Sequence, residues 1–251
     1  MEAMEKAKMD GWVDLHSHVL PEMDDGCKNC EESGIVLAQS LEQGIQGIAA
    51  TPHYYPIETV EQFLKRRQQS YESLLKYIKK NNLRTPRICL GAEVAYRTGI
   101  SNEPSLKKLC YGSSEYLLFE LPFQKWKPSV LQEIYVIRNT RGIIPVIAHV
   151  ERYMKFQDRK TLSELFDMDI VIQMNAEYLL HGWLERRKAF RMIRNKKIQI
   201  LSSDCHNIEK RPPNLESGIQ QLQKAGLDDH IEELRLEGIE IFQKAFQNEY
   251  A

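Results

Sequence analysis

The sequence predicts an α/β fold, a single-domain barrel in which seven parallel strands alternate with helices and close, or nearly close, on themselves. Three observations carry that prediction. Seven short apolar, β-rich runs recur along the chain, helical patterns with start signals lie between them, and all but one of the runs carry or end in a strong metal-ligand residue. Near-continuous apolar strands separated by helices belong to a parallel sheet covered on its outer face, and seven such units in 251 residues suit a β/α barrel.

The first run, "WVDLHSH" (Trp12 to His18), alternates so that His16 and His18 share a face, and a turn holding Asp25 follows. Asn29 paired with Glu32 has the spacing of a capping box, and Gly44 stands where the helix it opens should stop. "GIAATPH" (Gly47 to His53) is the second strand, after which Thr59 with Gln62 opens another helix. "ICLGAEV" (Ile88 to Val94) delivers Glu93, "YLLFEL" (Tyr116 to Leu121) delivers Glu120, and "IIPVIAH" (Ile143 to His149) ends in His149. The sixth run, "IVIQMN" (Ile170 to Asn175), is the exception and ends in Asn175; the seventh, "IQILSSD" (Ile198 to Asp204), ends in Asp204 with His206 just after. In a β/α barrel the C-terminal strand ends meet at one mouth, so these residues are expected to share a site. One buried histidine alone is usually a hydrogen-bonded structural residue; ligand types at six of seven strand ends point instead to a metal cluster.

Composition narrows the partners. Lys and Arg total 34 against 35 for Asp and Glu, a formal charge of -1, which offers no field to gather nucleic acid or an anionic membrane. No apolar run approaches the roughly 20 residues of a membrane span. The charged start "MEAMEKAKMDG" lacks the apolar stretch of a signal peptide, so residues 1–11 are expected to be a flexible extension and the compartment the cytoplasm. Five cysteines in a chain of this size suggest reduced thiols rather than a disulfide framework.

Three signals are set aside. "CHNIEKR" (Cys205 to Arg211) has the C-x5-R spacing of cysteine-dependent phosphatases, but it has no glycine with which to cradle phosphate, and its neighbours Asp204 and His206 are better used on metal. "CKNC" (Cys27 to Cys30) is a lone pair straddling a turn and a helix start. Arg187, Arg191 and Arg194 share one helix face, which usually means a solvated stripe.

The motifs "DLHSH", "TPH", "GAE", "AHVERY" and "SSDCH" together resemble the PHP (polymerase and histidinol phosphatase) superfamily over nearly the whole chain. With "DLHSHVLPEMDDG", "FELP" and "RPPNL" added, the chain more narrowly resembles the bacterial manganese-dependent protein-tyrosine phosphatases of capsule and exopolysaccharide operons. It departs from the family pattern at Val150, where a proline commonly follows the histidine, and at Cys205, between Asp204 and His206. The resemblance implies a distorted (β/α)7 barrel holding three divalent ions. The first would take His16, His18, Glu93 and Asp204, the second Glu93, Glu120 and His149, and the third Asp25, His53 and His206. Mn is the metal that the resemblance favours, although imidazole and carboxylate ligands without thiolate suit Fe or Zn as well.

Such ions lower the pKa of a water toward about 7 and neutralise phosphoryl oxygens during in-line displacement, so no protein nucleophile is required. Arg152 and Arg211 follow the His149 and His206 ligands closely enough to hold phosphate oxygens at the mouth. Tyr54, Tyr55, Phe123, Trp126 and Tyr153 crowd the same loops and suit an aryl phosphate, although packing beneath loops is an equal use for any one of them. The expected substrate is phosphotyrosine on the tail of a bacterial tyrosine kinase that controls polysaccharide export. The alternatives are a small-metabolite phosphatase, such as one for histidinol phosphate, and an idle scaffold, which fits poorly with nine intact ligands.

Overall fold

The computed structural model describes residues 9–247. In chain order the strands are β1 (Trp12–Ser17), β2 (Ile45–Ala50), β3 (His53–Tyr54), β4 (Arg87–Leu90), β5 (Glu93–Ala95), β6 (Tyr116–Glu120), β7 (Ile144–Ile147), β8 (Val171–Asn175) and β9 (Ile200–Ser202). The helices are α1 (Cys30–Glu42), α2 (Val60–Lys80), α3 (Pro128–Arg141), α4 (Arg159–Phe166), α5 (Trp183–Arg194), α6 (Leu215–Lys224) and α7 (Asp228–Lys244). Among the described residues no helix is long and apolar enough to cross a membrane.

All seven expected strands form, and every pairing between them is parallel. The second and third are each broken in two, so that β1-β2-β4 make one sheet and β3-β5-β6-β7-β8-β9 another. The breaks have local causes. Pro52, between β2 and β3, has no N–H to give a ladder. Gly91, between β4 and β5, sits where a Cβ would stand 2.8 Å from the Tyr111 ring and 3.2 Å from Thr51. Because both staves break at the same height, His53 and Glu93 pair directly across β3 and β5. The first and last staves meet as well: Ser17 and Cys205 form a parallel bridge, the His18 amide donates to the Cys205 carbonyl at 2.8 Å, and the Asp204 amide donates to the His16 carbonyl at 2.9 Å.

The helix signals hold with one adjustment. Thr59 and Gln62 complete a capping box on α2, at 3.2 and 3.0 Å. Asn29 caps α1, but Glu32 turns back to the Lys28 amide at 2.8 Å instead of the Asn29 amide. Gly44 follows α1 with φ +78°, a left-handed conformation that costs a glycine little. Of the N-terminal extension expected over 1–11, residues 1–8 lie outside the described residues.

A large apolar cluster fills the space between staves and helices, and a smaller one, which includes Leu15, Ala49, Leu118, Val146, Val171 and Ile200, draws on staves all round the barrel. The C-terminal helix α7 plugs the barrel at the strand starts. Phe242 lies where a Cβ on Gly47 would meet its ring at 2.7 Å, the Lys244 ammonium donates to the Tyr116 hydroxyl at 3.1 Å, and the Arg87 guanidinium covers the Phe246 ring at 3.5 Å. Replacing Phe242 by alanine should cost about 3–5 kcal/mol, as deletion of a buried aromatic does elsewhere. Urea unfolding measures it, and a loss under about 1 kcal/mol would mean that α7 is not part of the core.

Candidate metal centre

The strand ends opposite α7 bring all nine expected ligands into one cluster, and Glu93 is its centre. One carboxylate oxygen, Oε2, lies 3.2 Å from His16 Nε2, 3.2 Å from His18 Nε2 and 3.1 Å from His53 Nδ1. The other, Oε1, lies 2.9 Å from His149 Nε2, which is itself 3.4 Å from Glu120. Asp204 Oδ1 faces His16 and His18 at 3.3 and 3.5 Å, while Asp25 Oδ1 lies 3.4 Å from His206 Nε2 and 3.7 Å from His53 Nε2.

Local backbone features place these side chains. The pairing of β1 with β2 shifts register between Asp14 and Ser17, an irregularity that lets Leu15 join the inner apolar cluster while the adjacent His16 also turns to the mouth. The following turn folds back under β1: the Cys27 amide donates to the His18 carbonyl at 3.2 Å, and a Cβ on Gly26 would stand 2.3 Å from that carbonyl oxygen. That tight turn presents Asp24 and Asp25. At two strand ends the ligands themselves take left-handed conformations, His149 with φ +32° and Asp204 with φ +55°. Such strain persists where surrounding contacts over-determine it, which is common at functional sites.

The charges are mutually compensated. Burial would push the Glu93 carboxyl up, but the charge of His16 and hydrogen bonds from His149, His16 and His18 hold it well below its usual range. Burial also opposes ionisation of Asp24, yet its pairing with His18 at 2.7 Å and bonds from the His53 and Gly26 amides bring it down to about 2. His206 moves the other way: burial and then the charge of His18 lower it to about 3, so its ring is neutral and available as a ligand.

These donors fit divalent ions. His53 Nδ1 and His149 Nδ1 are buried without a hydrogen-bond partner, so the 3.1 Å approach of His53 to Glu93 is not a hydrogen bond. Among the described residues, three groups have donor atoms mutually within 4.8 Å: His18, Asp25, His53 and His206; His16, His18 and Asp204; and His53, Glu93 and Glu120. Oxygen and imidazole nitrogen converging without thiolate is a donor set for Mn, Fe or Zn.

Arg152 and Arg211 both reach the site. Arg152 Nη2 lies 2.7 Å from Asp204 Oδ2, and Arg211 places Nη2 at 2.5 Å from the same oxygen and Nη1 at 2.7 Å from His206 Nε2. The expected aromatic rim is smaller than the sequence suggests. Tyr54, Trp126 and Tyr153 are core residues whose polar atoms bond to the Glu58 carbonyl, the Pro122 carbonyl and the Leu121 amide. Tyr55 and Phe123 remain, each 46% exposed, stacked on His53 and His149 with ring centroids 5.1 and 5.7 Å apart.

A family model for capsular polysaccharide synthesis, CpsB/CapC, matches residues 12–240. The chain belongs to the CpsB/CapC family. It is 30% identical over 210 residues to the putative tyrosine-protein phosphatase CapC of Staphylococcus aureus, covering 80% of this chain and 79% of that one. It is 28% identical over 217 residues to the tyrosine-protein phosphatase CpsB of Streptococcus agalactiae serotype III, covering 81% and 86%. A solved structure from the pair YwqE of Bacillus subtilis and CpsB of Streptococcus pneumoniae, described as metal-dependent tyrosine phosphatases, superposes with a TM-score of 0.80 at 22% identity. That match covers 92% of this chain and 94% of the other, so the CpsB/CapC fold extends across the described barrel.

Sequence reasoning missed the residues that hold the ligands. Asp24 orients His18, Gln173 and Asn175 contact His16, His149 and Asp204, and Asp14 accepts from the Ser203 hydroxyl and amide across the junction of the first and last staves. The doubled aspartate of "MDDG" and the alternating amides of "IQMN" were the available signals. The signals set aside stay so. Cys205 is fully buried and its thiol is pushed well above its usual range by burial, Cys27 is pushed up to about 12, and Arg187, Arg191 and Arg194 face solvent. Alkylation of the native protein should therefore modify Cys30 first and spare Cys27, Cys89, Cys110 and Cys205 until unfolding. Peptide mass spectrometry reads the order, and prompt labelling of Cys205 would revive the thiolate mechanism.

Proposed function

We propose that this chain is a metal-dependent protein-tyrosine phosphatase acting on a phosphotyrosine-bearing protein, with the tail of a bacterial tyrosine kinase in polysaccharide export as its substrate. The observation that carries the reading is the buried Glu93 carboxylate with three imidazole nitrogens at 3.1–3.2 Å from one oxygen, beneath an open mouth. Three Mn2+ ions are the proposed cofactor. His16, His18, Glu93 and Asp204 would hold the first, Glu93, Glu120 and His149 the second, and Asp25, His53 and His206 the third. When bound, such ions make hydroxide available near neutral pH and offset charge on the phosphoryl oxygens.

The chain's own residues do the rest. Arg152 and Arg211, 33% and 30% exposed, turn part of each guanidinium toward the mouth, where the planar fork suits phosphoryl oxygens. Tyr55 and Phe123 form half-exposed aromatic faces against which a phosphotyrosine ring can stack. Asp25, 68% exposed, marks a mouth open enough for a residue on an extended peptide. The names of the relatives, the tyrosine-protein phosphatase CpsB and the putative tyrosine-protein phosphatase CapC among them, support the same substrate class.

Dialysis against a strong chelator should abolish turnover, with Mn2+ among the ions that restore it. Full activity in verified metal-free protein would sink the mechanism. Under identical Mn2+, kcat/KM should be higher for a phosphotyrosine peptide than for histidinol phosphate or a phosphoserine peptide, whose shorter side chain keeps the phosphate nearer the backbone. If histidinol phosphate is preferred by about tenfold or more, the substrate assignment is wrong. Arg152→Ala and Arg211→Ala should each lower turnover by about two orders of magnitude while metal content stays near wild type. Lost metal would make these arginines structural.

A further inference from the structure

The sixth stave is the one strand end without a metal-type ligand, and it carries two fully buried amide side chains on one face, Gln173 and Asn175. Their bonds form a directed chain. The His149 amide donates to Gln173 Oε1 at 2.6 Å, Gln173 Nε2 donates to Asn175 Oδ1 at 2.8 Å, and Asn175 Nδ2 donates to Asp204 Oδ2 at 2.8 Å. A backbone N–H can only donate and a carboxylate can only accept, so the two ends impose the same direction on both amides, and neither can be flipped.

That direction has a consequence at His16. Its Nδ1 lies 3.2 Å from Gln173 Oε1, which is an acceptor, so Nδ1 must carry the ring proton. Nε2 is then the nitrogen turned to the cluster, facing Glu93 Oε2 at 3.2 Å and Asp204 Oδ1 at 3.3 Å. At the other end, Asp204 Oδ2 takes Asn175, Arg152 and Arg211 at 2.8, 2.7 and 2.5 Å, leaving Oδ1 toward His16, His18 and His206. The His149 backbone, at φ +32°, is secured by the bond to Gln173. The Asn175 backbone N–H donates in turn to the Glu151 carboxyl at 3.3 Å.

We infer that Gln173 and Asn175 are positioning residues: a directed amide relay that sets the tautomer of His16, the backbone of His149 and the ligating oxygen of Asp204, so that three staves present their donors to one ion cluster. The relay rests on the proposed metal reading for its purpose but not for its geometry. Partners of this kind, behind the ligands of a metal, typically change affinity by about 10–100-fold when removed.

Imidazole 15N shifts of the metal-free protein test it directly and need no substitution: His16 should carry a proton on Nδ1 whether or not Nε2 is also protonated, and an unprotonated Nδ1 would overturn the relay. In Gln173→Met, a side chain of similar size, that preference should be lost and the Kd for Mn2+, read by chelator competition, should rise about 10–100-fold. Gln173→Glu should recover part of the affinity, because its oxygen still accepts from both His149 and His16. A merely structural role would not sort the two variants this way. Mn2+ affinity within about twofold of wild type in Gln173→Met would overturn the proposal. If wild type itself fails to bind Mn2+, the metal reading falls, and the His16 tautomer still decides the relay.

Discussion

A buried carboxylate ringed by imidazoles is the constraint on which the rest of this molecule depends. Removing Glu93 from water is expensive unless its charge is met inside the protein. Four histidines from three different staves meet it, and they do so where the C-terminal ends of the parallel strands converge. The fold and the donor set therefore require one another. The barrel supplies convergence, and the cluster supplies a reason for so many polar side chains to occupy its mouth.

The irregularities of the barrel serve that convergence. A smooth seven-stave barrel would leave His53 and Glu93 continuous with β2 and β4. The breaks at Pro52 and Gly91 instead form a second, shorter ladder in which the two residues are paired. The register shift in β1 and the left-handed backbones of His149 and Asp204 act alike, each turning a strand end toward the centre. Regular packing is kept at the other end, where α7 fills the barrel with Phe242 and its neighbours.

Much of this was readable in the sequence. Apolar runs alternating with helical patterns marked the staves, and ligand-type residues at their ends marked the site, because strand position alone places them at the mouth. What could not be read depends on tertiary pairing. Nothing local in "DDG" says that Asp24 turns inward to His18 while Asp25 stays exposed. Nothing in "IQMN" says that two amides span three staves. Tyr153 and Trp126 look like rim residues because they follow ligands in sequence, but their polar atoms find backbone partners and their rings join the core. The break at Gly91 reflects the distant Tyr111 ring, which no window around residue 91 reveals.

The central claim is that the strand-end cluster is a metal centre organised around Glu93. Anomalous diffraction at the manganese edge, from crystals equilibrated with Mn2+, tests it most directly. The account predicts peaks within coordinating distance of Glu93 Oε2, flanked by His16, His18 and His53, with further density toward Glu120 with His149 and toward Asp25 with His206. Mn2+ found only elsewhere on the molecule, with the Glu93 cluster unoccupied at saturating metal, would contradict it.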